Sequence, residues 1–141
     1  MGRTGKPPAS FSAAVAQQFG PVAQEWGMDG PIEDHRVLPS VEWTLDRLSY
    51  GWSQDPSDGS VSVTVSLVVA EGVLWGSLGD LVVENRLAVP QQVRRSGFLV
   101  RQVESHVEWI RRLHPTLTGA QAQEFMESGG ARLTSPDSSG E

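Results

Sequence analysis

The sequence predicts an α+β domain: an antiparallel meander of three to four strands, with an N-terminal helix and two to three C-terminal helices packed on one face. Three observations carry this expectation. Residues 60–69 alternate strictly, with Val61, Val63, Val65, Leu67 and Val69 on one face and Ser60, Ser62, Thr64 and Ser66 on the other. Period 2 of this kind means a strand with one buried and one wet face. Apolar residues at helical spacing flank that region on both sides. The chain's 141 residues, 38% hydrophobic and 20% charged, fit one core better than two. The expected organisation is a disordered N-terminus over 1–9, a single domain over 10–133, and a disordered tail over 134–141.

Each element has its own signal. Ser10 can cap a helix whose residues Phe11, Val15 and Phe19 recur every four positions. Gly20-Pro21 predicts an interruption, followed by a second short helix over Pro21–Trp26 with Pro at its first position. The segment 31–40, PIEDHRVLPS, reads as an acidic connection bounded by prolines. Val41-Trp43-Leu45 and Leu48-Tyr50-Trp52 alternate like 60–69. Arg47 suits a tight turn poorly, so 41–52 reads either as a hairpin or as one bent strand. Asp55-Pro-Ser-Asp-Gly59 carries explicit turn chemistry.

After the long strand, a three-residue loop over Ala70-Glu71-Gly72 would set Val69 against Val73 and Leu67 against Trp75, apolar against apolar. A one-residue slip inverts every side chain, so this register is the expected one. It also puts Gly72 at a positive φ. Ser77-Leu-Gly-Asp80 resembles a capping box that opens a helix through Leu78, Leu81, Val82 and Leu87. Ser96 caps the longest expected helix, 97–114, with Leu99, Val103, Ile110 and Leu113 as its core stripe and Glu108–Arg112 as an i,i+4 pair outside. Pro115 stops it. Thr118-Gly-Ala-Gln121 is a second capping box, leading to Ala122, Phe125 and Met126, and Gly129-Gly130 closes that helix.

Composition and motifs remove whole classes of chemistry. With no cysteine there is no disulfide, no thiolate-bound metal and no thiol nucleophile. No run approaches the roughly 18 apolar residues of a membrane span, and residues 1–20 lack the apolar stretch of a signal peptide. The sole lysine, Lys6, stands in the N-terminal tail, so no phosphate-binding loop of the Gly-Lys-Ser type exists. Gly72, Gly76 and Gly79 are spaced too widely for a dinucleotide fingerprint. Ser77 is one residue short of a nucleophile elbow and is better explained as a cap. His35, between Glu33-Asp34 and Arg36, reads as part of a solvated charged loop. His106 and His114 lie about two helical turns apart, too far to share a metal, and His114 reads as a helix C-terminal residue meeting the last carbonyls. No catalytic, cofactor or metal-binding residue is therefore assigned.

The net charge of −6 argues against nucleic acid or anionic lipid as the main partner. That sum hides a split. Eleven acids face only Arg36 and Arg47 between Glu25 and Glu84, whereas six arginines face Glu104 and Glu108 between Arg86 and Arg112. Five tryptophans are the one compositional excess. Periodicity puts Trp43, Trp52 and Trp75 on the apolar sheet face and Trp26 on a helix stripe. Trp109 falls off the main stripe beside Arg111 and Arg112, and interfaces enrich Trp and Arg. The outer face of the long helix, Arg101, Glu108, Trp109, Arg111 and Arg112, is thus the expected partner surface.

The strings PVAQEWGMDGP, DHRVLPSVEWT and WIRRLHPTLTGAQAQEFM, within residues 21–52 and 97–132, resemble segments of small α+β proteins from actinobacteria and their mobile elements. The group has no established activity, so the resemblance implies no functional residue. It implies a bacterial, cytoplasmic origin, in keeping with a composition biased to arginine over lysine. The expectation that results is a soluble, cytoplasmic, non-enzymatic accessory protein that binds another protein, without cofactor or membrane contact. Two alternatives stay open. One is a small-ligand-binding protein or enzyme with a pocket between sheet and helices, for which a polar cluster inside the apolar layer, with His106 or Tyr50 in it, would speak. The other is a nucleic-acid-associated regulator acting through the basic segment alone. Exposed edge strands also leave a homodimer open.

Overall fold

A computed structural model describes residues 11–34, 39–55, 57, 59–85 and 99–134. The fold is α+β, and its sheet has six strands where three to four were expected. β1 (Asp29–Asp34), β2 (Ser40–Leu45), β3 (Leu48–Gln54), β4 (Val61–Val69), β5 (Gly72–Ser77) and β6 (Arg132–Thr134) pair antiparallel in chain order. The helices are α1 (Phe11–Glu25), α2 (Leu78–Glu84), α3 (Leu99–Leu117) and α4 (Ala122–Ser128). No helix among the described residues is long and apolar enough to cross a membrane.

The central strands behave as their alternation requires. Val61, Val63, Val65 and Leu67 are buried under the helices, with Val41, Trp43, Leu48, Tyr50 and Trp52 from β2 and β3 beside them. Phe19 of α1 sits among their rings, its centroid 5.0 Å from Trp43, 5.9 Å from Tyr50 and 5.5 Å from Trp52. Edge-on and tilted contacts at these distances add to area burial. β2 and β3 form a two-residue hairpin, Leu45 opposite Leu48. Of its turn residues Asp46 alone takes the left-handed conformation, at φ 53°, so the arginine does not have to.

Several expectations are corrected by packing. The Pro-bounded connection holds β1, paired from Asp29 opposite Thr44 to Asp34 opposite Ser40. A register irregularity between Asp29 and Ile32 hides its alternation. Gly30 there takes φ 135°, and a Cβ would fall 2.7 Å from the Glu42 carbonyl oxygen, so only glycine fits. α1 continues through Pro21 as one helix, since Phe11, Val15 and Phe19 before the proline and Val22 and Ala23 after it all bury on the sheet. That burial outweighs an internal proline's cost of about 3 kcal/mol. α3 likewise runs past Pro115 to the buried Leu117.

The β4–β5 loop has two residues, not three. Val69 pairs with Gly72, Leu67 with Leu74 and Ser66 with Trp75. This turns Trp75 to the outside. Gly76 explains the choice, because a Cβ on it would lie 3.5 Å from Ala131 Cα and 3.8 Å from Leu81 Cδ2. With the chain that close beneath β5, an inward indole has no room. Gly72 does take a positive φ, 149°. Ser77 caps α2 as expected, its Oγ accepting from the Asp80 amide at 3.1 Å. Thr118 does not cap α4. Its hydroxyl donates back to the His114 carbonyl at 2.9 Å, closing α3 instead, and Gln121 stands at the start of α4 without a side-chain cap bond. Thr134, assigned to the tail by sequence, belongs to β6. Ser10, His35, Leu87, Ser96 and the expected disorder of 1–9 and 135–141 lie outside the described residues.

Candidate functional site

Among the described residues the helices cover one face of the sheet and leave the other open. That outer face carries Thr44, Ser49, Ser53, Ser62, Thr64 and Ser66, partly or fully exposed. Hydroxyls pair across strands, Ser53 with Ser62 at 3.1 Å and Thr44 with Ser49 at 3.2 Å. Set into this polar face is an apolar patch. Val68 (46% exposed) lies opposite Val73, and Trp75 (38% exposed) lies two residues along β5 on the same side. Trp75 donates its Nε1–H to Thr134 Oγ1 at 2.8 Å, and the Arg132 guanidinium lies 5.8 Å from its ring centroid. β6 thus holds the indole from two sides and leaves it 38% exposed.

At the centre of the same face stands Gly51, opposite Glu42 on β2 and Thr64 on β3's other neighbour, β4. Glycine in a strand interior costs about 0.5–1 kcal/mol relative to alanine. Gly51 stands in the floor of a shallow dimple of about 260 Å³, lined by the side chains of Ser40, Glu42, Ser53, Thr64 and Ser66.

The surface expected on α3 is altered by one residue. Arg101, Glu108, Arg111 and Arg112 are exposed, but Trp109 is buried (5% exposed). Arg112 covers it, its guanidinium carbon 4.8 Å from the ring centroid, while Nη2 pairs with Glu108 Oε2 at 3.5 Å. What remains outside is a charged, solvated helix face. Sequence reasoning placed the exposed Trp–Arg pair on α3; the structure places it at Trp75 and Arg132. The loop length decides it, because two residues between β4 and β5 instead of three turn Trp75 outward.

Beneath the helices lies a buried polar cluster. The Tyr50 hydroxyl and His114 Nδ1 are 2.7 Å apart, and Trp26 stacks on the His114 ring at 3.6 Å and 3°. Burial pushes the Tyr50 hydroxyl well up and holds His114 below its ordinary value. Tyr50 therefore keeps its proton and His114 stays neutral, so the bond between them joins two uncharged groups. So His114 does not serve the last carbonyls of α3; it faces inward, where it ties α3 to β3 and to the end of α1. About two turns before it on α3, His106 Nδ1 donates to the Gln102 carbonyl at 2.7 Å, and Gln102 Oε1 accepts the Val61 amide at 3.0 Å. Trp52 Nε1 is buried nearby without a partner.

This is the cluster that would speak for a pocket, yet it is sealed. A cleft of about 540 Å³ between sheet and helices opens at the sheet's end against Asp46, Arg47, Leu48, Leu67, Leu117 and Gln123, and neither histidine nor Tyr50 lines it. Among the described residues no three His, Asp or Glu converge as metal ligands. No family model, curated protein or solved structure matches the chain.

Proposed function

We propose that this chain is a protein-binding module whose contact face is the open side of the sheet. One observation carries the reading: Trp75 stands on the solvent side, held by Thr134 and Arg132, with Val68 and Val73 beside it. A tryptophan fixed at a surface offers large area at little further entropic cost, and such residues dominate binding energies at interfaces. The face is otherwise polar and lacks the depth to enclose a small molecule, which favours a macromolecule.

The test compares Trp75→Ser and Val68→Ser with the unaltered chain in affinity co-purification from the native host. Loss of the bound protein by both variants, with circular dichroism and melting unchanged, supports the reading. Retention by both defeats it. Arg111→Ala serves as the control on the α3 face and should retain the partner.

The rival reading, a small-ligand protein, is favoured by the cleft between the β2–β3 hairpin and the α3–α4 turn. A thermal-shift screen against metabolites decides it: a shift abolished by Arg47→Ala or Gln123→Ala would establish that reading, and no shift would remove it.

A further inference from the structure

Gly51 occupies the middle of the open face for no reason internal to the fold. A Cβ built there meets nothing nearer than the Thr64 carbonyl oxygen at 3.9 Å, and the residue has no positive φ. Glycine in a central strand weakens it, and where neither sterics nor backbone demands it, close approach by another group is the remaining use. The polar side chains lining the dimple are the Glu42 carboxylate and the hydroxyls of Ser40, Ser53, Thr64 and Ser66, so its one charged group is an acid. Among the described residues no basic side chain lines it. Strands β1 to β5 share its sign, holding Asp29, Glu33, Asp34 and Glu42 and no lysine or arginine.

We infer that the dimple over Gly51 receives a single cationic side chain, arginine or lysine, from the partner protein whose apolar contact is the Trp75–Val68 patch. The inference rests on the protein-binding reading and adds the partner's chemistry to it. A guanidinium or ammonium brings donors only and no acceptor, matching a cup of acceptors, and its charge is complementary to Glu42 and the acidic strands. The two features lie on one face, Ser66 bordering the dimple and pairing directly with Trp75. A partner that presents an apolar residue beside a basic one engages both.

The experiment titrates the isotopically labelled full chain with the peptide Ac-Gly-Arg-Gly-NH2 and with its neutral norleucine counterpart, following backbone amides by NMR. Saturable shifts at Glu42, Gly51, Thr64 and Ser66 are expected with the arginine peptide alone, weakening as salt rises. Gly51→Val fills the dimple, and Glu42→Gln removes its charge; each should weaken binding at least fivefold. Gly51→Val points its new carbons into open space, so its sheet should stay intact, and Gly51→Ala stands in if it does not. Shifts of equal size with norleucine, no shifts at those amides, or undiminished binding by Gly51→Val would overturn the inference. Co-purification separates the two claims. If Trp75→Ser loses the partner and Gly51→Val keeps it, the cationic contact is wrong and the binding face stands. If both keep the partner, the binding face itself is wrong.

Discussion

Replacing Tyr50 with phenylalanine tests what the buried polar cluster contributes. The hydroxyl sits 2.7 Å from His114 Nδ1, and both side chains are withdrawn from water, His114 being only 7% exposed. Phenylalanine keeps the ring, and with it the edge-on contact to Phe19 at 5.9 Å. Only the hydroxyl is lost. An imidazole nitrogen stranded without a partner in a dry site costs about 1–3 kcal/mol. With a urea m-value of about 1.5 kcal/mol/M, the unfolding midpoint should fall by about 0.7–2 M at pH 7.5. Exchanging both partners for apolar rings removes the stranded group as well, so Tyr50→Phe with His114→Phe should cost clearly less than the two single changes added together. Chemical denaturation followed by far-UV circular dichroism reads all four corners of that cycle. A Tyr50→Phe cost below about 0.5 kcal/mol, or a cycle with no coupling, would refute the claim that this bond holds α3 to the sheet.

Other outcomes follow from the same coordinates. Burial holds His114 below its ordinary value of 6.5, so as pH falls the unfolded chain takes up that proton first. Stability is then full above about pH 6.5 and declines toward pH 5, by at most about 1.4 kcal/mol per pH unit for one proton; His114→Gln should flatten this slope, and equal slopes in both proteins would contradict the assignment. Trp109→Ala should destabilise by about 3–5 kcal/mol in thermal or urea unfolding, as truncation of a buried indole does; a change within 0.5 kcal/mol would mean a surface residue. Gly129→Ala should lower the melting temperature, because its Cβ would fall 2.5 Å from Leu81 Cδ2 and 3.2 Å from Leu81 Cα. Gly51→Ala should leave the melting temperature unchanged or raise it, and a marked drop would show a structural need for that glycine.

The sequence disclosed those parts of the fold whose signal is local. Val61 to Val69 and the Trp43, Tyr50 and Trp52 faces were legible because alternation is a property of neighbours. Ser77 was legible as a cap because its partner amide lies three residues on. The Glu108–Arg112 pair was readable for the same reason. β1 was not, since Gly30-Pro31 and a register irregularity erase its period, and β6 is three residues with every side chain exposed. The inward side of β5 is built on Gly72, Leu74 and Gly76, so counting apolar residues pointed Trp75 the wrong way. Prolines 21 and 115 read as stops because the burial that carries the helices past them is tertiary. The Tyr50–His114 bond joins residues 64 apart and leaves no local trace. The candidate face was half legible: its hydroxyls showed as alternation, while its tryptophan and its central dimple depend on pairing.

The strand order also says something about how the chain assembles. β1 to β5 are joined by neighbouring hairpins, so each pairing closes a short loop and can proceed quickly. β6 alone must wait, because all the chain between Ser77 and Arg132 intervenes before it reaches β5. The clamp on the Trp75 indole is therefore set last, after the helical layer has docked, and the fluorescence of that ring should be the final signal to settle during refolding.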